Sequence, residues 1–169
     1  MTPTKFLVLP DLLEQAKAGI VSGDMIAMSK IDIEICSQIQ SEVREGSFLG
    51  ISEERKLCVS TFNAEGYVAS GGFVDLFQYT EDIEMQSVIK GFEVFGATQL
   101  LTLLQKAMKK FPKSPPLPAH SVREEILNNW FDKEKDPFTK LDDKFNDIGS
   151  ALRGRLEYIT NHPEQFFQK

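Results

Sequence analysis

Gly71 and Gly72 stand side by side in "ASGGFVDLFQYTED", directly ahead of an aromatic and apolar run. Backbone N–H groups at a glycine-led helix start can hold a phosphate, because the turn needs no Cβ and the helix dipole favours an anion. The same pair can instead let two helices touch. The surrounding charge decides between them. No Lys or Arg lies between Lys56 and Lys90, whereas Glu65, Asp75, Glu81, Asp82 and Glu84 flank the glycines. Those carboxylates repel a phosphate, and the basic residue that usually completes such a loop is missing. The pair is therefore read as a close helix contact. A helix beginning near Ser70 then carries Phe73, with Leu76 or Phe77 and then Tyr79, into a core.

The remaining chemistry-bearing residues are sparse. His120 and His162 each lie near a proline in a loop, with no Cys, His or paired carboxylate at ligand spacing, so no metal site is expected. Asp142, Asp143 and Asp147 can share a helix face, but Lys140 and Lys144 neutralise it, and a solvated face is the expected arrangement. Cys36 and Cys58, 22 residues apart in helical segments, read as buried, reduced thiols. Serine-hydrolase, zinc-protease and nucleotide-loop motifs are absent. No nucleophile is paired with a base, and no cofactor is implied.

Helical spacing of apolar residues supplies nearly every element that would position these groups. Met28, Ile31, Ile35, Ile39 and Val43 make one stripe on a helix of about 22–45, opened by Ser22 or Asp24. The alternation in "IDIEI" is too short to compete with it. Ser52 caps a helix running through Leu57, Cys58, Thr61 and Phe62 towards Gly66, with Glu53 and Glu54 in its first turn. Met85, Val88, Ile89, Phe92 and Phe95 form a helix capped by Thr80 and ended by Gly96, and Leu100 to Phe111 form the next. The proline-rich "PKSPPLP" at 112–118 is a surface crossover rather than a recognition peptide. Val122, Ile126, Leu127 and Trp130 mark a short helix. Phe138, Leu141, Phe145, Ile148, Leu152, Leu156 and Ile159 mark one long helix across some 22 residues, and "NHPEQFF" adds a final turn. The expected fold is all-α: one domain over 1–169, of about eight helices, without repeats.

The chain of 169 residues, with 13 phenylalanines, can build a core without disulfides or metal. The N-terminal apolar run is too short for a signal peptide, and no stretch reaches the ~20 apolar residues of a membrane span. A soluble, cytoplasmic protein is expected. The net charge is −6, unevenly placed. Residues 24–93 hold 13 Asp/Glu against 5 Lys/Arg, a balance of −8, while residues 94–169 hold 10 against 12, a balance of +2. The acidic stretch has the wrong sign for direct contact with nucleic acid and the right sign for a basic partner.

The order "EGYVASGGFVDLFQYTED", "FEVFGATQLLTLLQKAMKKFP" and "FTKLDDKFNDIGSALRGRLEYITNHPEQF" resembles the bacterial family of DNA mimic protein nineteen. The shared features are Gly71–Gly72–Phe73, the Gly96–Ala97 junction, Phe111–Pro112, and Leu141–Asp142–Phe145 with Tyr158–Ile159 and Phe166, over roughly residues 50–168. The resemblance implies an all-helical fold without known catalysis. It also implies a dimer whose acidic surface imitates DNA phosphates and occupies the DNA-binding face of a transcription regulator. "QYTED" stands where that family more often has an Asn-Ser-rich turn, and Lys106, Lys109, Lys110 and Lys113 dilute the overall charge. The acids that would carry mimicry are thus local: Glu53, Glu54, Glu65, Asp75, Glu81, Asp82 and Glu84. Two other readings stay open. One is an interaction or immunity-type module using an apolar groove near Phe73–Tyr79. The other is an enzyme with a deep pocket lined by His120, Tyr67 or paired carboxylates.

Overall fold

In the computed structural model, residues 10–42, 51–132 and 136–166 are described, and they hold nine helices. The chain clusters into two compact units, one of residues 1–59 with 151–169 and one of residues 60–150.

The first unit contains α1 (Pro10–Ser22), α2 (Met25–Glu42), the first turns of α3 (Glu53–Tyr79), α8 (Leu152–Asn161) and α9 (Pro163–Phe166). Asp24 starts α2 as expected, its Oδ1 accepting the N–H groups of Ile26 and Ala27 at 3.0 Å each. The predicted extension of that helix to 45, including Val43, lies outside the described residues. Ser52 caps α3 through the N–H of Arg55 at 3.4 Å. Met28, Ile31, Ile35 and Ile39 are buried, and α8 packs on α1 and α2 with Leu152, Leu156 and Ile159. Inside this core Arg155 meets Asp32 in a two-pronged ion pair at 2.8 and 2.6 Å. Arg55 meets Glu42 in the same manner at 2.9 and 2.7 Å. Cys36 and Cys58 are buried and are not joined in a disulfide. Burial pushes the Cys58 thiol well up, only partly opposed by Arg155, so it stays protonated.

The second unit contains the rest of α3, α4 (Asp82–Val94), α5 (Thr98–Met108), α6 (His120–Asp132) and α7 (Thr139–Ile148). Its centre is aromatic. Phe73 packs edge-on to Phe145 at 5.5 Å and lies 6.1 Å from Phe138, while Phe77 packs edge-on to Phe111 at 4.9 Å. Such tilted pairs add to the area that the rings remove from water. The α4–α5 turn closes as predicted. Gly96, at φ +67°, donates to Glu93 O at 3.1 Å, and Ala97 donates to Phe92 O at 2.8 Å. That is the double bond pattern of a left-handed glycine stop.

Several expectations change. α3 does not stop near Gly66, and the second helical segment expected near Ser70 starts three residues later, at Phe73. The helix runs through both and breaks only at Gly71 and Gly72. Thr80 is not the cap of α4. Glu81 occupies that position without a side-chain bond, and the Thr80 hydroxyl is buried without a partner among the described residues. The single long helix over 138–159 is two helices. The apolar repeat runs on, but Gly149 turns to φ +85° after α7, and α8 begins three residues later in the other unit. The short helix α6 is rotated from its expected stripe: Leu127 and Arg123 are buried, whereas Val122 is exposed. No helix among the described residues is long and apolar enough to cross a membrane.

Candidate functional site

The double glycine is a break with an anion in it. Gly71 adopts φ −143°, ψ 21°, and Gly72 adopts φ 73°, ψ −166°, so α3 leaves helical geometry and restarts at Phe73. The second segment therefore exposes a fresh set of N–H groups. One of them, from Phe73, donates to Asp142 Oδ1 of α7 at 2.8 Å. A Cβ on Gly72 would sit 2.6 Å from the same carboxylate, and one on Gly71 would meet the carboxylate of Asp75. The close contact foreseen from the sequence is real, but its partner is a carboxylate. The predicted solvated face of Asp142, Asp143 and Asp147 holds for the last two, which are exposed, and fails for Asp142, which is half-buried. Phe73, Leu76 and Phe77 enter the core, whereas Tyr79 stays 54% exposed.

Of the seven predicted acids, Glu53 and Glu54 lie in the first unit, where Glu53 pairs with Lys56 at 2.7 Å. Glu65, Asp75, Glu81, Asp82 and Glu84 lie in the second. Glu81 and Asp82 are exposed at the start of α4, while Glu65, Asp75 and Glu84 are half-buried. Asp75 is bent back over Gly71.

Residues not selected from the sequence hold the Glu81–Glu84 corner in place. The Arg123 guanidinium, 1% exposed, bonds Asp82 Oδ1 at 2.6 Å, Pro118 O at 2.9 Å, and the carbonyls of Phe77 and Thr80. It thereby satisfies the carbonyls at the end of α3 and the carboxylate at the start of α4. Burial would raise the Asp82 carboxyl, but bonds from Arg123 and the His120 amide hold it below its ordinary value. His120 starts α6 and does not lie in a loop. Its Nε2 is 2.7 Å from Gln78 O, and its Nδ1 is 3.6 Å from Glu81 Oε1. His162 is likewise occupied, 2.9 Å from Tyr158 O and stacked on that ring at 4.3 Å.

Beside these acids, Tyr67 and Tyr79 bring their rings to 5.8 Å. Asn63 donates towards Glu84 Oε1 at 3.5 Å. Burial pushes Glu84 above its ordinary value, with the Glu81 charge adding to it and the Asn63 amide opposing it. Burial and the Glu84 charge together raise the Tyr67 phenol.

Next to the Asp82–Arg123 pair lies an open groove of about 470 Å³, lined by Met85, Ile89, Met108, Pro116 and Leu117. His120 and Tyr67 do not line it. Among the described residues no three His, Cys, Asp or Glu side chains gather as metal ligands.

The signal for the hidden polar residues was present. Arg123 is four residues before Leu127 and seven before Trp130. Asp142 lies between Phe138 and Phe145 at offsets of four and three. Both sit on apolar faces, where a polar side chain is kept only with a partner.

No curated protein and no solved structure matches the chain. A family model described as DMP19-like protein matches residues 49–162, from just before α3 to the end of α8. The matched region includes the glycine break, its Asp142 partner and the α3–α4 corner. With more than half of its length matched, the chain belongs to the DMP19-like family.

Proposed function

We propose that the protein is a non-catalytic binding protein whose acidic face occupies the DNA-binding surface of a basic partner, such as a transcription regulator. One observation carries the reading. Glu81 and Asp82 are exposed with Glu84 beside them, and the nearby guanidinium, Arg123, is buried and spent on Asp82 and three backbone carbonyls. The corner therefore shows a basic partner carboxylates and little positive charge. Both histidine rings are engaged with backbone carbonyls and both cysteines are buried, which favours binding over catalysis. Nucleic acid itself is not a ligand on this reading. The homodimer implied by the family resemblance is part of the same proposal.

Displacement of DNA tests it. Labelled duplex DNA is bound to basic DNA-binding proteins, and the chain is added. Release of DNA that fades as salt rises from about 50 to about 200 mM is expected, because the contact exchanges charge for counterions. No release at low salt, or release indifferent to salt, defeats the reading. A second reading is favoured by the apolar groove beside Asp82: an interaction module that takes an apolar segment of its partner there. Replacing the half-buried Ile89 and Leu117 by polar residues would abolish binding on that reading and spare it on the first.

A further inference from the structure

Asn63 and Tyr67 lie one turn apart on the first segment of α3, Tyr79 ends the second segment, and Glu84 stands in the first turn of α4. The break at Gly71–Gly72 brings these distant positions together. The Tyr67 and Tyr79 rings meet at 5.8 Å with planes inclined by 39°. Glu84 is half-buried, held by the Asn63 amide at 3.5 Å, and no Lys or Arg among the described residues pairs with it. A carboxylate partly withdrawn from water without a cation is costly. Burial and the neighbouring Glu81 charge both disfavour its ionised form, and a cation brought beside it would favour that form. Tyr79 meanwhile remains 54% exposed, with Ile83 beside the corner 76% exposed. A ring face attracts a cation, and a carboxylate accepts two parallel N–H bonds from a planar guanidinium. Arginine does both at once, whereas lysine offers only a point charge.

We propose that Tyr67, Tyr79, Glu81 and Glu84 form a docking point for an arginine side chain of the partner, stacked on Tyr79 and paired with the carboxylates. The proposal rests on the binding-protein reading for the class of partner. It adds that the corner discriminates the shape of the cation, which carboxylates acting only as phosphate substitutes do not.

A deca-arginine peptide and a deca-lysine peptide are titrated separately into the full chain. The arginine peptide is expected to bind about three- to tenfold more tightly. Tyr79→Leu and Glu84→Gln each erase that preference, Tyr79→Phe keeps it, and Glu93→Gln, which removes an exposed charge elsewhere on α4, keeps it too. Equal affinity for the two peptides, no binding of either, or a preference that survives both Tyr79→Leu and Glu84→Gln overturns the docking point. Should Tyr79→Leu not fold, methylguanidinium and methylammonium are titrated into the unaltered protein. Ring-proton shifts at Tyr67 and Tyr79 with the first alone support the proposal, and equal shifts or none overturn it. DNA displacement without arginine preference defeats only the docking point. Arginine preference without DNA displacement defeats only the DNA-mimic reading.

Discussion

The carboxylate of Asp142 accepts the backbone N–H of Phe73 at 2.8 Å, across 69 residues of chain. An anion does sit where the two glycines open a helix, but α7 supplies it. The carboxylate caps the second segment of α3 from outside that segment. Caps from Asp or Asn are worth about 1 kcal/mol, and this one also satisfies a half-buried carboxylate. Asp142→Ala should lower the unfolding free energy by about 1–2 kcal/mol in urea titration, and Asp142→Asn, which keeps an acceptor oxygen, by clearly less. Equal losses would show that the charge, not the cap, matters.

The two glycines should differ in their tolerance of a side chain. Gly72 has φ +73° with ψ −166°, a region essentially closed to other residues, and a Cβ there would meet Asp142 at 2.6 Å. Gly71 has a negative φ, and the nearest atoms its Cβ would meet belong to the Asp75 side chain, which can swing away. Gly72→Ala should cost about 2–4 kcal/mol, and Gly71→Ala under about 1.5 kcal/mol. Thermal midpoints of the two variants read the difference.

Helix positions were legible because apolar spacing of three and four reports a face, and most of the stripes are buried as expected. Ile35, Phe92, Leu104 and Leu156 are all fully buried. The breaks were less legible. Gly66 looks like a stop and is passed through, while Gly149 looks incidental and ends α7. Periodicity cannot see φ, and a stripe continuing from Phe138 to Ile159 hides a left-handed residue. Buried polar partners were lost for a related reason. Asp32, Arg123, Asp142 and Arg155 occupy apolar faces, but their partners are up to 123 residues away. The acids of the corner could be counted from the chain, whereas the meeting of Tyr67 with Tyr79 needs the break at 71–72 to exist first.

The Arg155–Asp32 pair lies wholly inside the first unit, with both side chains under 5% exposed. Removing one member strands a buried charge, which typically costs 3–5 kcal/mol, whereas replacing both by apolar residues is often neutral. Arg155→Leu is expected to lose about that amount, and Arg155→Leu with Asp32→Leu to recover most of it. Urea unfolding of the two single variants and the double variant gives the coupling energy. A double variant no better than Arg155→Leu would mean that the hydrogen bonds, including the long one from Cys36 Sγ at 3.8 Å, matter more than the charge.

Glu81 and Asp82 are adjacent acids with different duties. Glu81 is 73% exposed, and His120 Nδ1 approaches it at 3.6 Å. Asp82 holds the buried Arg123. Glu81→Gln should leave stability within about 0.5 kcal/mol and weaken binding of a basic partner. Asp82→Asn should lower stability as well, because the Arg123 guanidinium loses its charged partner. Measuring thermal midpoint and DNA displacement on both variants separates the roles. Equal destabilisation by the two changes would contradict the assignment of Arg123 to Asp82.

Acid titration should distinguish Asp142 from Asp82 by sign. Burial, aided by Asp136 and Asp143 and opposed by the Phe73 N–H, raises the Asp142 carboxyl above its ordinary value. The folded protein then holds that proton more tightly than the unfolded chain, whose carboxylate titrates near 3.9. The contribution of this group is most favourable at low pH and declines as pH rises through the folded value. Asp82 is lowered by Arg123 and the His120 amide, so its contribution is present above about 3.9 and lost as pH falls through the folded value. Unfolding free energies of the unaltered protein and two variants, measured from about pH 3 to about pH 7, should therefore diverge in opposite directions. Relative to the unaltered protein, Asp142→Asn should gain stability as pH rises from about 4, and Asp82→Asn should lose it over the range beginning lower, around pH 3 to 4. Parallel curves for Asp142→Asn would show that its carboxylate is as well solvated in the fold as in the unfolded chain, and would remove the burial argument for this cap.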